Sequence, residues 1–102
     1  PDLAVVRAQD IDRRTLPRTA LLVVEVADSS LRKDRGVKTV IYARYGIPEY
    51  WIVNVKSSTV EVHRDPDPEA GRYRTLLTAG TDATLSPTGL QAVSISVREL
   101  FA

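Results

Sequence analysis

The apolar residues of the chain fall into short runs that are separated by polar, turn-forming stretches. The most apolar run is residues 20–26 (ALLVVEV), whose second half is rich in β-branched residues. A short and nearly continuous apolar run is typical of a strand buried on both faces of a sheet. Its only charged residue is Glu25. Further strands are predicted at residues 1–7, 49–56, 59–64, 72–78 and 92–97.

The period of the apolar positions changes over residues 31–45 (LRKDRGVKTVIYARY), where a helix is predicted. At about 100° per residue, its apolar side carries Val37, Val40, Ile41 and Arg44. Gly46 follows the helix and is suited to end it with a positive φ. The start of the helix stays open, and the candidate N-caps are Ser29, Ser30 and Asp34.

The order of elements is strand, strand, helix and then several mostly antiparallel strands. This order predicts an α+β fold in which a mixed β-sheet carries one main helix on one face. The length of 102 residues suits a single domain. Residues 8–18 and 65–71 are polar and contain proline, so they are predicted to be loops, and Ser57-Ser58 is predicted to form a tight hairpin turn.

Charge and composition narrow the classes of function. The chain carries 14 Lys and Arg against 13 Asp and Glu, a net charge of +1, which is less basic than a dedicated nucleic-acid binder usually is. No apolar run approaches the roughly 20 residues of a membrane span. The absence of cysteine excludes disulfides and thiolate metal sites and fits a cytoplasmic protein. Neither GxxxxGK[ST] nor GxSxG occurs, so nothing supports an NTPase or a serine hydrolase.

Glu25 and Lys38 are the first candidates for chemistry. A buried carboxylate is costly unless it is paired, so a buried Glu25 must face an open edge, pair with a cation or bind a metal. A glutamate near the strand end that simply faces solvent is an equally good interpretation. Lys38 lies beside the apolar side of the helix, on a flank that it shares with Asp34, Tyr42 and Tyr45. The structural interpretation is an i,i+4 pair between Asp34 and Lys38. The functional one is a lysine that reaches the end of the neighbouring strand.

Two other features have mainly structural interpretations. Tyr50-Trp51 begins an apolar strand, and aromatic residues at such a position fill a core or an interface. His63 alternates with Glu61 along its strand and is predicted to be a surface imidazole. A single histidine without a neighbouring Cys or His motif does not form a zinc site of known spacing.

Four segments taken in order resemble the Uma2 family of restriction-endonuclease-like proteins. They are Pro1-Asp2, Val24-Glu25-Val26, Asp34-Arg35-Gly36-Val37-Lys38 and Gly46-Ile47-Pro48-Glu49-Tyr50-Trp51-Ile52-Val53. The resemblance covers roughly residues 1–65, and it implies a restriction-endonuclease-like fold with a modified PD-(D/E)XK site. Because family members are typically longer at the N-terminus, residues 1–102 are expected to be one nuclease-like domain without an N-terminal portion.

The resemblance also implies a metal site. Asp2 and Glu25 would be catalytic carboxylates that bind Mg²⁺ or Mn²⁺, and the backbone carbonyl of Val26 would be a further ligand. The lysine of the usual E-x-K motif is missing, because residue 27 is Ala27. In such families the lysine is thought to have moved to the following helix, which here means Lys38.

Two further residues complete the set. Tyr42 is a hydrogen-bond donor that could support the metal ligands. Lys33 is a weaker substitute for Lys38, because it falls outside the matching motif.

The sequence therefore predicts a Mg²⁺-dependent endonuclease that hydrolyses DNA phosphodiester bonds. A homodimer is a further hypothesis, in which the Tyr50-Trp51 strand contributes to the interface. The main alternative is a catalytically inactive nuclease-fold module that binds nucleic acid or a protein partner, which the near-zero net charge favours. A purely structural assembly domain is a third alternative, and it leaves Glu25 without a role.

Overall fold

The structure is a computed structural model that describes residues 2–5 and 20–102. The loop predicted at 8–18 lies outside the described residues, as do the ends of the strand predicted at 1–7. The main sheet has the strand order β1-β2-β3-β4-β5. Its strands are β1 (Leu3–Val5), β2 (Leu22–Ala27), β3 (Glu49–Asn54), β4 (Thr59–Asp67) and β5 (Arg72–Ala79).

The sheet is mixed, as the sequence predicts. Strands β2 and β3 are parallel, and the other neighbouring pairs are antiparallel. The crossover between β2 and β3 contains the main helix, which consists of α1 (Leu31–Arg35) and α2 (Val37–Arg44). After β5 come the short strands β6 (Thr84–Leu85) and β7 (Ile95–Ser96), a 3-10 turn (Thr88–Leu90) and the helix α3 (Val97–Leu100). The α+β prediction is confirmed.

Apolar side chains cover both faces of the sheet. On the side of the main helix, Val23, Tyr50 and Ile52 are fully buried. On the opposite side, Trp51 packs with buried residues of β2, β4 and α3. Because β3 lies between β2 and β4 and both of its aromatic residues are buried, the interpretation of Tyr50-Trp51 as core is confirmed. Both side chains are therefore taken up by the core and are not exposed for a homodimer interface.

The main helix packs through a different side from the one that its apolar pattern predicts. Val37 is 65% exposed and Ile41 is 42% exposed, whereas Asp34, Tyr42 and Ala43 are buried. The polar flank turns towards the sheet because Glu25 lies beneath it and needs hydrogen-bond donors and a cation. A break at Gly36 separates α1 from α2, and Gly46 ends the helix with φ +71° as predicted.

The hairpins differ from the predicted boundaries. The turn between β3 and β4 spans residues 55–58, and Ser58 has a positive φ. Strand β4 continues to Asp67, into the predicted loop 65–71, because Pro66 and Asp67 still pair with β5. Arg74 on β5 also donates to the Pro66 carbonyl at 3.0 Å. The strand predicted at 92–97 is reduced to β7 and gives way to α3.

Candidate active site

Asp2 and Glu25 lie side by side at the edge of the sheet. The antiparallel register ends with Leu3 opposite Val24, so Asp2, just before β1, comes next to Glu25. Asp2 also lines a pocket with Val24 and Val53, which belong to the core on the face opposite the main helix. The Asp2 backbone N–H donates to Glu25 Oε1 at 2.9 Å. The Asp2 carboxylate in turn accepts a hydrogen bond from the Val26 backbone N–H at 2.6 Å. The contacts between the two residues thus run through backbone N–H groups, with the Asp2 residue exposed and Glu25 buried.

Glu25 is 2% exposed and its second oxygen is held by the main helix. Glu25 Oε2 lies 2.9 Å from Lys38 Nζ and accepts a hydrogen bond from the Tyr42 hydroxyl at 3.1 Å. Burial, followed by the nearby negative charge of Glu25, raises the pKa of Tyr42 well above its ordinary value. Tyr42 therefore stays protonated and remains a donor to Glu25 throughout the neutral range.

Lys38 bridges two carboxylates. Its Nζ lies 2.9 Å from Glu25 Oε2 and 2.9 Å from Asp34 Oδ1. Hydrogen bonds to Glu25 and then to Asp34 raise the pKa of Lys38 far above its ordinary value, although partial burial opposes the shift. The ammonium group therefore stays charged. Lys33 is exposed on α1, so Lys38 is the lysine that reaches the carboxylates.

Asp34 holds Lys38 in position through their ion pair. It is fully buried, and its Oδ2 accepts a hydrogen bond from Ser30 Oγ at 2.9 Å. Its backbone carbonyl accepts hydrogen bonds from the hydroxyls of Tyr50 and Thr39. The predicted Asp34–Lys38 pair is thus confirmed, and Lys38 also reaches the end of the neighbouring strand.

The sequence interpretation of His63 is wrong. His63 is 6% exposed, its Nδ1 lies 3.1 Å from the Tyr50 carbonyl oxygen, and its ring packs against Tyr50 and Tyr73. Burial lowers the pKa of this imidazole. The alternation with Val60 and Val62 correctly separates the two faces of β4, but the face that carries His63 is covered by the main helix.

Sequence reasoning also missed the partner of Glu61. Glu61 is 6% exposed, and Arg35 donates to both of its oxygens through Nε and Nη2. A signal was available, since a helix that crosses between parallel strands covers one face of the sheet. A carboxylate on that face of β4 then needs a cation from the helix.

Glu49 is a buried carboxylate on the other face with a structural role. It accepts hydrogen bonds from Trp51 Nε1 at 2.5 Å and from the Thr88 backbone N–H at 2.8 Å, and the Arg64 guanidinium lies beside it. These contacts join the start of β3 to the segment after β6. The Glu-Tyr-Trp motif is therefore explained by packing, without a catalytic role for Glu49.

Asp2 and Glu25 are of the residue type that a hard divalent cation prefers. Mg²⁺ takes carboxylate and carbonyl oxygens, keeps several waters and is commonly held by one or two protein carboxylates. Asp2 is exposed and adjoins Glu25, so such a pair is present at an accessible edge. Within the described part of the chain, no group of three or more His, Cys, Asp or Glu side chains could hold a metal. A metal held by Asp2 and Glu25 would therefore need water for its remaining ligands.

The fold agrees with one class of protein. A mixed five-stranded sheet with a helix in the crossover between its parallel strands agrees with a restriction-endonuclease-like fold, which membership of the Uma2 family implies. The Uma2 family, described as "Putative restriction endonuclease", matches residues 1–98. The chain belongs to the Uma2 family.

No curated protein matches the chain. Among residues 2–5 and 20–102, no helix is long and apolar enough to span a membrane.

Proposed function

We propose that the chain is a metal-dependent endonuclease that hydrolyses the phosphodiester bonds of DNA. The observation that supports this proposal best is that Glu25 contacts both the Asp2 backbone and the Lys38 ammonium group, with Asp2 exposed beside it. Carboxylates can hold a divalent cation, and a lysine can stabilise the negative charge that develops when a phosphodiester is hydrolysed. Membership of the Uma2 family supports the substrate class.

Asp2 and Glu25 would hold Mg²⁺ or Mn²⁺, with the Val26 carbonyl as a further ligand. The cation would supply stabilisation of charge on the phosphoryl group and a lower pKa for a bound water. The Val26 N–H donates to the Asp2 carboxylate at 2.6 Å and holds it next to β2, which supports this role. Tyr42 orients Glu25 by donating to Oε2.

Lys38 would donate N–H bonds to the reacting phosphate and orient the attacking water. Hydrogen bonds to Glu25 and then to Asp34 raise the pKa of Lys38, which favours an ammonium donor over a general base at neutral pH. Asp34 has a distinct part, because it keeps Lys38 at the site when Glu25 Oε2 is engaged by another cation. A fixed ammonium group offsets negative charge as it develops in the transition state.

A second candidate function is a non-cleaving module that binds nucleic acid or a protein. One observation favours it: Lys38 already neutralises Glu25 at 2.9 Å, so the buried carboxylate has a structural explanation without a metal. The net charge of +1 also gives no strong attraction to DNA. The two candidates differ in their requirement for a divalent cation.

A homodimer and a cytoplasmic location remain predictions from the sequence. Because the two aromatic residues of β3 are buried, a dimer would have to use another surface. Light scattering on the purified chain distinguishes a monomer from a dimer.

Cleavage of supercoiled plasmid tests the proposed function. The wild-type chain is incubated with Mg²⁺, Mn²⁺ or EDTA beside Glu25→Gln and Lys38→Met, and Glu69→Gln serves as a matched control because Glu69 is exposed in a turn. We expect metal-dependent nicking that falls by about a hundredfold in the two site variants and stays unchanged in the control.

Two results would contradict the proposal. Nicking that survives in both site variants would come from another site or another protein. A folded wild-type chain that does not nick DNA with either cation would favour the non-cleaving module.

A further inference from the structure

Arg35 and Glu61 form a second charged pair on the sheet face that carries Glu25. Arg35 Nε lies 3.0 and 3.1 Å from the two Glu61 oxygens, and Nη2 lies 2.6 Å from Oε2. The exposure of the two side chains is unequal, at 54% for Arg35 and 8% for Glu61. A buried carboxylate therefore holds an arginine whose outer part faces solvent.

The contacts with Glu61 leave other N–H donors of the Arg35 guanidinium group available. Arginine has five N–H donors in a fixed plane, and the bonds to Glu61 use Nε and Nη2. In the structure of residues 2–5 and 20–102, Nη1 donates to no protein group. A planar guanidinium group with free donors matches the geometry of phosphate oxygens. Since Glu61 fixes its orientation, less conformational entropy is lost when a ligand binds.

The pair lies at a defined place relative to the candidate active site. The sheet register sets Glu25 beside Ile52 and Ile52 beside Glu61, so the two carboxylates belong to one row across three strands. Neighbouring strands are about 4.8 Å apart, which separates the ends of the row by about 10 Å. Lys38 lies above one end and Arg35 above the other, on opposite sides of the helix break.

A single phosphate is too small to reach both cations over that distance. The rise along one DNA strand is about 3.4 Å per nucleotide, so a backbone that passes the solvent-facing parts of Lys38 and Arg35 would present separate phosphates to them. We propose that Arg35, held by Glu61, binds a DNA phosphate that flanks the scissile one. This inference rests on the proposed function, because it takes DNA as the substrate.

The alternative is that Arg35 only neutralises the buried Glu61. Three variants separate the two roles. Arg35→Gln removes the cation, and the double variant Arg35→Gln with Glu61→Gln removes both charges and leaves two amides in contact. Arg98→Gln is the matched control. Arg98 lies on the short helix α3, its side chain is 68% exposed, and it pairs with Asp82.

The test is binding of a short fluorescein-labelled DNA duplex, followed by anisotropy in EDTA and in Ca²⁺ between about 50 and 200 mM salt. We expect Arg35→Gln and the double variant to bind about tenfold more weakly than wild type. The slope of log affinity against log salt should become less steep by about 0.9, which corresponds to the loss of one phosphate contact. Arg98→Gln should keep the wild-type slope. Thermal unfolding of each variant verifies that it is folded at the assay temperature.

The outcomes separate this inference from the proposed function. If the double variant binds with wild-type affinity and slope, Arg35 has only a structural role and the inference is wrong. If Arg98→Gln weakens affinity and reduces the salt dependence as much as Arg35→Gln does, the effect comes from the lower net charge of the protein and the inference is also wrong. If the wild-type chain binds no duplex in either condition, both the inference and the proposed function fail. A wild type that nicks plasmid while all variants bind alike contradicts the inference alone.

Discussion

Replacing Lys38 by Met keeps a long side chain and removes the ammonium group that lies between two buried carboxylates. Glu25 is 2% exposed and Asp34 is fully buried, and each oxygen that faces Lys38 lies 2.9 Å from Nζ. Removing one partner of a fully buried ion pair costs about 3–5 kcal/mol. The Lys38 side chain is 36% exposed, so water partly replaces it, and we reduce the expected loss to about 2 kcal/mol.

The assay is urea denaturation, supported by thermal unfolding. For a chain of this size, about 2 kcal/mol corresponds to a decrease in Tm of roughly 10 °C. Lys33→Met is the matched control, because Lys33 is exposed on α1, and an exposed substitution usually stays within about 0.5 kcal/mol. The double variant Glu25→Gln with Lys38→Met should recover part of the loss, since it also removes one of the unpaired charges.

The pH dependence of this difference follows from the raised pKa of Lys38. A group whose folded pKa is raised contributes its full stability below its unfolded pKa, which for lysine is 10.5. The contribution then declines as the pH rises towards the folded pKa. The advantage of wild type over Lys38→Met should therefore be constant from neutral pH to about 10.5 and decrease above it. Equal stability of wild type, Lys38→Met and Lys33→Met at neutral pH would refute the reasoning.

Three further predictions concern neighbouring parts of the fold. Burial lowers the pKa of His63 from 6.5, so its contribution is present above that pH and is lost as the pH falls. His63→Phe should flatten the urea stability profile below pH 6.5, and profiles parallel to wild type would contradict this. Tyr42→Phe removes the hydroxyl that donates to Glu25; we expect a loss of about 1–2 kcal/mol in urea, and an unchanged midpoint would show that the bond contributes nothing. Gly46 has φ +71° with open space around it, so Gly46→Ala should cost about 1 kcal/mol. Gly80→Ala, also in open space but without positive φ, is its control, and equal thermal stability of the two variants would contradict the strain argument.

The strands could be predicted because the local sequence of each strand shows that its residues are buried. Residues 20–26 are apolar almost throughout, and the structure buries neighbouring residues of β2 on opposite faces. Gly46 likewise needs only its own backbone conformation to end the helix. Each of these predictions depends on residues that are close in the chain.

The packed side of the main helix could not be read from its own pattern. Val37, Val40 and Ile41 form the apolar side, yet they are exposed. Which side packs is decided by Glu25, a residue on a different element, because its buried carboxylate needs Lys38 and Tyr42. Periodicity within one segment contains no information about such a partner.

The candidate site was predicted in part. The resemblance to a family brought Asp2, Glu25 and Lys38 together, and the structure sets Glu25 in contact with both of the others. Their catalytic roles stay predictions. Arg35 and Glu61 were missed because 26 residues separate them in sequence and only the register of β3 with β4 turns Glu61 towards the helix.

The claim that Asp2 and Glu25 together bind a divalent cation is tested most directly by Mn²⁺ binding, measured from the EPR signal of the free ion. Asp2→Asn and Glu25→Gln are compared with wild type, and Asp82→Asn is the control because Asp82 is 96% exposed and lies outside the site. We predict that wild type and the control bind Mn²⁺ at a single site, and that the two site variants bind at least about tenfold more weakly. If wild type binds no more Mn²⁺ than Asp2→Asn does, the carboxylate pair is not a metal site.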